Sequence, residues 1–566
     1  MPTSNATTPP PVLIIGGGPA GLIAALSLVQ NGVPVRIVDK LPAFHTASRG
    51  TGAHSRSLEV YHFLGLLEDI RHVITPLIPM RSYKLPEGTE VTRTWKIWEP
   101  VQPTPDKPIT NASGASIGQF VIEGIFRDHL AKLGVQVELA TELVALAQDA
   151  KGVTATLKHT ASTGEESTET FRASYIIGAD GARGITRKQI GATFEGQTKD
   201  LDGHVWADVY VDGLSTEYWH LWSEPENFTV SMRPTHREGE FHVGIVGVGW
   251  DPEHLMDEEK FVNFIHEKTG RRELQFRDFS SMNHWKPKMR MVNKFYSGRA
   301  FLVGDAAHVH SPTGGQGLNT SIQDSFNLAW KIALVYKGLA KPELLSSFEA
   351  ERLPVVTLML AATSGLYTHS VASKHTTCKD AKDKSGWLEW KNRALHMMEI
   401  NYRWSPIVFD ARGNGDDLDA LKAKAYEGYP GEDVHAGDRA PGAPALIDAW
   451  GKTTSLHEIF KPTLHTILVF FPETEEAPGQ VDAVLRTVKA LPKGTCQVVI
   501  LARNGAPTAH CGAAGYHDSE GHAFGFYRVE EGKFTVVAVR PDAHVGAFVY
   551  DADGLQTYFS RIFRSA

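Results

Sequence analysis

Residues 12–40, VLIIGGGPAGLIAALSLVQNGVPVRIVDK, constrain the fold more than any other stretch of the chain. Four apolar residues, Val12–Ile15, predict a buried strand that runs into Gly16-Gly17-Gly18-Pro19-Ala20-Gly21. A helix follows to about Gln30, Gly32 closes it, and a second strand, Val35–Val38, ends on Asp39 and Lys40. In such a unit Gly16 permits the tight turn, Gly18 lets backbone approach a pyrophosphate, and Gly21 lets helix and strand pack closely. Asp39, at the end of the second strand, is placed to receive a ribose hydroxyl. The stretch therefore predicts a Rossmann-like α/β core that binds a dinucleotide, without choosing between FAD and NAD(P).

A second stretch, residues 299–335, combines a strand end, a carboxylate and a glycine-rich loop. The apolar run Phe301–Val303 stops at Gly304-Asp305, and SPTGGQG leads into a long helix from about Leu318. A glycine loop opening a helix is an anion site, because the first N–H groups and the positive end of the helix dipole face the loop. Asp305 cannot serve an anion, but it can accept hydrogen bonds from sugar hydroxyls. One bulky cofactor held at two points accounts for both features.

At 566 residues the chain is too long for one hydrophobic core and suggests about three domains. A net charge of -8 with no dense Lys/Arg run argues against a general nucleic-acid binder. The leader MPTSNATTPPP lacks the apolar centre of a signal peptide and the arginines of a transit peptide, and no window is apolar enough to span a membrane. Cys378, Cys496 and Cys511 show neither CxxC nor metal-ligand spacing, so no metal site and a reducing cytoplasm are expected.

Between the two landmarks, SIGQFVIEGIFRDHLAKLG from Ser116 reads as a helix, and a buried strand Tyr175–Ile177 stops at Gly178-Ala179-Asp180-Gly181. Residues 203–250 alternate apolar and polar positions between turn residues, which predicts an antiparallel sheet. In NFTVSMRP the alternation puts Phe228, Val230 and Met232 on one face and Thr229, Ser231 and Arg233 on the other. That second face either is solvated or lines a cavity. Helices are expected over 252–277, 342–372 (with Pro354 inside) and 384–404. Beyond the Pro/Gly-rich passage 430–446 the order is strand 465–471, helix 480–490, strand 497–502, strands around 524–540 and a last helix at 553–563.

GGGPAG, GADGARGITR and LVGDAAHVHSPTGGQGLN together resemble the single-component flavoprotein aromatic monooxygenases of the p-hydroxybenzoate hydroxylase fold. The likeness is closer to phenol 2-monooxygenases and polyketide aromatic hydroxylases, which carry a C-terminal thioredoxin-like domain. The resemblance implies an α/β FAD-binding domain made of 1–80, 111–200 and 287–365, with an antiparallel-sheet substrate domain, 81–110 and 201–286, inserted in it. A helical connection, 366–430, then leads to a thioredoxin-like domain, 431–566, without CxxC. Gly16, Gly18, Pro19, Ala20 and Gly21 would hold the FAD pyrophosphate and Asp39, with Lys40 beside it, the adenosine ribose. Arg49 and Gln119 match positions that contact FAD, Leu143 a backbone contact to adenine, and Asp180-Gly181 a motif tied to FAD and NAD(P)H binding. That motif's usual serine is Gly184 here. Asp305 matches the ribityl contact, and Gly315, Gly317, Leu318 and Asn319 match the cradle of the flavin's pyrimidine edge.

The chemistry implied is hydride delivery from NADPH or NADH to FAD, uptake of O2, and transfer of one oxygen atom from a flavin hydroperoxide to a phenolic ring. A Baeyer–Villiger or epoxidising reaction uses the same oxygen species, and a flavin-linked dehydrogenase without oxygen transfer is the alternative of another class. Pro312 matches a proline near the reacting flavin and substrate, and Ser231 and Arg233 resemble a serine and arginine that hold a substrate carboxylate. The acid and tyrosine of phenol hydroxylases correspond to Thr51 and Trp285, so that apparatus is missing or displaced. His308 and His310 are bases or structural hydrogen bonders. A small aromatic substrate and a homodimer are expected, with no nucleic-acid or membrane partner.

Overall fold

The computed structural model describes residues 9–48, 52–97, 101–110, 116–198, 202–224, 227–248, 252–285, 288–310, 314–371, 393–413, 417–472, 474, 476–505 and 513–564. Arg49, Thr51, Pro312, Cys378 and Cys511, singled out from sequence, lie outside the described residues.

The continuous apolar run Val12–Ile15 is buried at every position, as a parallel strand covered on both faces must be. It pairs in parallel with Val35–Val38 and with Tyr175–Gly178 inside a six-stranded sheet. Ala300–Leu302 joins beside Tyr175–Gly178, and Val137–Glu138 closes the other edge. Helices Pro19–Gln30, Gln119–Lys132 and Gln316–Tyr336 pack on one another and on this sheet, and an antiparallel meander, Thr141–Asp149, Gly152–Thr160 and Glu166–Ala173, extends its core.

The alternating segments form a seven-stranded sheet in the order Gln275–Trp285, Asp202–Asp212, Glu240–Val248, Phe228–Pro234, Trp219–Glu224, Met80–Tyr83, Val91–Trp95. The excursion read at 81–110 thus contributes two strands to this layer. Its back face, including Val205, Val209, Val230, Met232, Phe241 and Ile245, is a closed apolar core with Phe261 and Ile265. Those two residues belong to a helix that spans Glu258–Thr269, shorter than the expected 252–277, with Asp257 capping its start and left-handed Gly270 its end.

The helix expected over 384–404 lies outside the described residues up to 392, and from there the chain makes one 3-10 turn, Arg393–His396. Beyond it Met397 and Met398 are core residues. The last part of the chain follows the predicted order: strand His465–Phe470, helix Ala477–Lys489, parallel strand Cys496–Ala502, antiparallel Thr535–Val539 and Val545–Val549, and helix Ala552–Ser560. Strand structure expected from 524 begins only at Thr535, because His522–Phe526 is a short helix.

A buried charge network joins this last sheet to the cofactor-side helices. Glu351 accepts from Lys331 Nζ at 2.7 Å, Asn327 Nδ2 at 2.7 Å, and both terminal nitrogens of Arg540 at 2.7 and 2.9 Å. Arg540 also binds Asp542, whose carboxylate takes the Trp330 indole N–H at 3.2 Å. Burial pushes the Glu351 carboxyl up, but Arg540 and Lys331 outweigh it and hold it at about 2, ionised throughout the neutral range. Removing one member strands an uncompensated buried charge. Arg540→Met is therefore expected to destabilise the fold by about 3–5 kcal/mol, read as a lowered denaturant midpoint; an unchanged midpoint would contradict this anchoring role.

Candidate active site

The two glycine loops, nearly three hundred residues apart in sequence, meet at Gly304. Gly304 has φ +59°, and a Cβ there would lie 2.8 Å from Ser321 Oγ and 3.1 Å from Ala20 Cβ. Ser325 Oγ donates to the Ala20 carbonyl at 2.8 Å, fixing the two helix starts against each other. Both helices open without a side-chain cap, from Gly18 and from left-handed Gly315, so their first N–H groups are left for a ligand. Gly16 and Gly21 are required by packing, since a Cβ would come within 2.2 Å of Ala179 O and 1.9 Å of Gly16 O respectively. Gly18 faces open space instead. That division, two glycines against protein and one against space, fits a loop with a pyrophosphate on its outer side.

Asp39 accepts the Gly17 N–H at 2.7 Å and the Leu41 N–H at 2.8 Å, which holds its carboxylate partly exposed at the end of the second strand. Lys40 is exposed beside it. Leu143 has a buried side chain, and its strand breaks register just after it, leaving backbone as its contribution. Gln119 begins its helix, takes the Ser48 carbonyl with its N–H at 3.0 Å, and donates its amide to Glu123 at 2.8 Å. Asp180 accepts both N–H and Oγ1 of Thr186, at 2.9 and 2.8 Å. A Cβ at Gly184 would sit 2.2 Å from the Asp180 carboxyl carbon, so Thr186 supplies the hydroxyl and Gly184 the room. The other Asp180 oxygen, Oδ1, is buried and has no partner among the described residues.

The second loop is held from behind. Asn319 accepts the His54 N–H at 2.9 Å and donates to the Gly52 and Gly315 carbonyls, both at 2.8 Å. Gln316 donates to the carbonyls of Gly314 and Leu395 and accepts the Tyr426 hydroxyl at 2.7 Å. Gly317 and Leu318 keep partial exposure on the loop's open side, and Asp305 is exposed at the strand end. His308 is fully buried with Nε2 on Asp324 at 2.7 Å, and Asp324 in turn takes Arg352 Nε at 2.8 Å. His308 is therefore a structural hydrogen bonder.

The front face of the seven-stranded sheet meets the cofactor-side segments at Ser48 and Ser116. Ser231 and Arg233 are 2% and 7% exposed, which excludes the solvated outer face. Ser231 Oγ accepts the Trp219 indole N–H at 2.6 Å, and Arg233 lies 5.2 Å from the Trp219 ring centre and reaches Ser116 Oγ at 3.3 Å. Burial lowers the Arg233 pKa to about 10, so the guanidinium still carries its charge near neutrality. The Trp285 backbone pairs with His204 at the edge of the sheet; its side chain lies outside the described residues.

Two residues not singled out from sequence stand on the same face. His242 pairs across strands with both Asp208 and Arg233, and Asp208 Oδ1 lies 2.5 Å from His242 Nδ1. Asp208 Oδ2 takes the Ser48 N–H at 2.9 Å. The signal was the period-2 alternation in HVWADVYV and EFHVGIV, which sets Trp206, Asp208 and His242 opposite an apolar face. Among the described residues no cluster of His, Cys, Asp or Glu has the form of a metal site.

Known proteins share this plan. Over 487 residues the chain is 30% identical to a flavin-dependent monooxygenase of Mycobacteroides abscessus, covering 85% of this chain and 92% of that one. Over 416 residues it is 31% identical to pentachlorophenol 4-monooxygenase of Sphingobium chlorophenolicum, covering 70% and 72%. Aklavinone-11 hydroxylase, solved with FAD and aklavinone, superposes with a TM-score of 0.75 over 99% of both chains at 23% identity, which speaks for the fold. With residues 10–363 matching its model, the chain belongs to the family of the FAD binding domain.

Proposed function

We propose that this chain is an FAD-dependent NAD(P)H monooxygenase that places one atom of O2 on a phenolic ring, in a monocyclic or polyketide-derived aromatic. The observation carrying this reading is the convergence of two uncapped glycine-loop helices beside a buried sheet face bearing Arg233, Ser231, His242 and Asp208. When bound, FAD supplies the electron relay between nicotinamide and dioxygen, and the protein supplies position, charge and exclusion of water.

In this reading the Gly16–Gly21 loop holds the pyrophosphate, with Asp39 and Lys40 at the ribose, Leu143 at the adenine through its backbone, and Asp305 at the ribityl chain. Gly315, Gly317, Leu318 and Asn319 enclose the pyrimidine edge, where the positive helix end favours negative charge on a reduced ring. Arg49, Gln119, Asp180 and Gly181 complete the cofactor site. Arg233 and Ser231 orient the substrate's anionic or hydroxyl group, and the motif likeness assigns Pro312 and Trp285 to catalysis as well. The enzyme works as a cytoplasmic homodimer, and sedimentation velocity checks that stoichiometry. No helix among the described residues is long and apolar enough to cross a membrane.

Three outcomes test the reading. Incubation with NADPH, isotopically labelled dioxygen and a panel of phenols is expected to give a product one labelled oxygen heavier; NADPH oxidation with unlabelled product would point to a dehydrogenase or an uncoupled oxidase. Arg233→Ala is expected to weaken aromatic binding by about 10- to 100-fold, the worth of a hydrogen bond to a charged group, while FAD content stays at wild-type level. Gly304→Ala forces a Cβ between Ala20 and Ser321 at a left-handed φ, and should leave the purified protein largely without FAD by absorbance.

A further inference from the structure

Resting on the phenolic reading above, we propose that His242, oriented by Asp208, takes the proton from the substrate's aromatic hydroxyl. The hydroxyl O–H bond breaks, the proton joins Nε2 of His242, and the electron pair stays on oxygen as phenolate. No electrons change hands in this step. The imidazolium that forms is balanced by the Asp208 carboxylate, and the extra electron density activates the ring carbons ortho and para to the oxygen.

The geometry gives the dyad its direction. Asp208 is 1% exposed and accepts from His242 Nδ1 at 2.5 Å, from the Ser48 N–H at 2.9 Å and from the Ser281 hydroxyl. A carboxylate can only accept, so Nδ1 carries the hydrogen and the lone pair is left on Nε2. Nε2 has no hydrogen bond to any described residue and is not buried, and the ring is 14% exposed. The ring is also fixed in plane, stacked on Trp206 at 4.9 Å and 11°. Trp206 can lie there because its neighbour across the strands is Gly244, where a Cβ would come within 2.2 Å of the indole. Burial lowers the imidazole pKa, so the ring is neutral and able to accept near pH 7.

Position supports the role as well. On its other side, the strand Phe228–Pro234 sets Arg233 beside His242, where it supplies a cation for the phenolate oxygen. Asp208 is tied to Ser48, whose carbonyl holds Gln119 at the start of its helix. The dyad therefore stands where the sheet meets the segments that carry cofactor positions. The competing role is a purely structural clamp between the sheet and residue 48, and that role makes no demand on Nε2.

The test is the ionisation state of a bound phenol on the FAD-loaded protein, read by ultraviolet–visible difference spectroscopy below the phenol's own pKa. The probes are 2,4-dichlorophenol and 1,8-dihydroxyanthraquinone. Wild type is expected to bind a probe as phenolate, and His242→Gln to bind it as the neutral phenol with affinity changed less than about fivefold and FAD retained. Product formation by His242→Gln should fall about 100-fold or more, the usual worth of a positioned proton acceptor. Asp208→Asn should also shift the bound probe toward the neutral form, since the amide no longer enforces the tautomer. A phenolate signature that survives in His242→Gln overturns the dyad and leaves the phenolic reading standing. A neutral phenol bound to wild type overturns the dyad too, whatever the variants do. If wild type binds neither probe, the phenolic reading falls and the dyad falls with it.

Discussion

Everything at the cofactor end of the molecule depends on one close approach, that of Gly304 between the helices that start at Pro19 and Gln316. A Cβ at 304 would meet Ser321 Oγ at 2.8 Å and press on Ala20 Cβ at 3.1 Å, and φ +59° adds a backbone cost for any other residue. The reason for tolerating such a junction is electrostatic. Two helix N-termini, each equivalent to roughly half a positive charge, open near this junction without side-chain caps, and each favours negative charge in front of it. The junction thus couples fold and ligand: the packing that fixes Gly304 also fixes the two helix starts that a dinucleotide with an electron-accepting ring would meet.

The Gln316–Tyr336 helix shows how that arrangement is held rigid. Sequence periodicity predicts an ordinary apolar stripe, yet the helix is buried nearly all round, with Asn319, Asp324, Asn327 and Lys331 as well as its apolar residues. Buried polar groups are costly unless partnered, and here each has a named partner: Gly52 and Gly315 for Asn319, His308 and Arg352 for Asp324, Glu351 for Asn327 and Lys331. The last of these groups is completed only by Arg540, from the far end of the chain. The last sheet is therefore tied to the helix that opens at the second glycine loop through a buried charge network.

What could be read from sequence followed the range of the interactions involved. The first strand–loop–helix unit was legible to the residue because its constraints are local: glycine at fixed offsets, an apolar run, an acid at a strand end. The succession of strand, helix and strand from His465 to Ala502 was legible for the same reason. The helix expected over 384–404 was not supported from 393 on, where Met397 and Met398 reach the core from irregular backbone, and the strand expected from 524 yielded to a short helix. In both places tertiary burial, rather than local pattern, set the backbone. Gly184 looked like a lost polar contact, and only the fold reveals Thr186 two residues on, its hydroxyl already on Asp180.

The buried polar face of the seven-stranded sheet was the hardest part to read, although its pattern was visible. Alternation separates Val205, Ala207 and Val209 from His204, Trp206 and Asp208, but a period of two cannot say whether the polar side meets water, a cavity or another domain. Arg233 and Asp208 decide the matter physically. A guanidinium and a carboxylate on neighbouring parts of one sheet, both almost wholly withdrawn from solvent, are held in place by backbone or hydroxyl groups of the facing domain at Ser48 and Ser116. Desolvation on that scale is sustained only where the charges have work to do on each other or on a ligand. His242, between them in the sheet, joins one of them by a short hydrogen bond and leaves its second nitrogen accessible, and that asymmetry separates a site built to move a proton from one built only to hold two domains together.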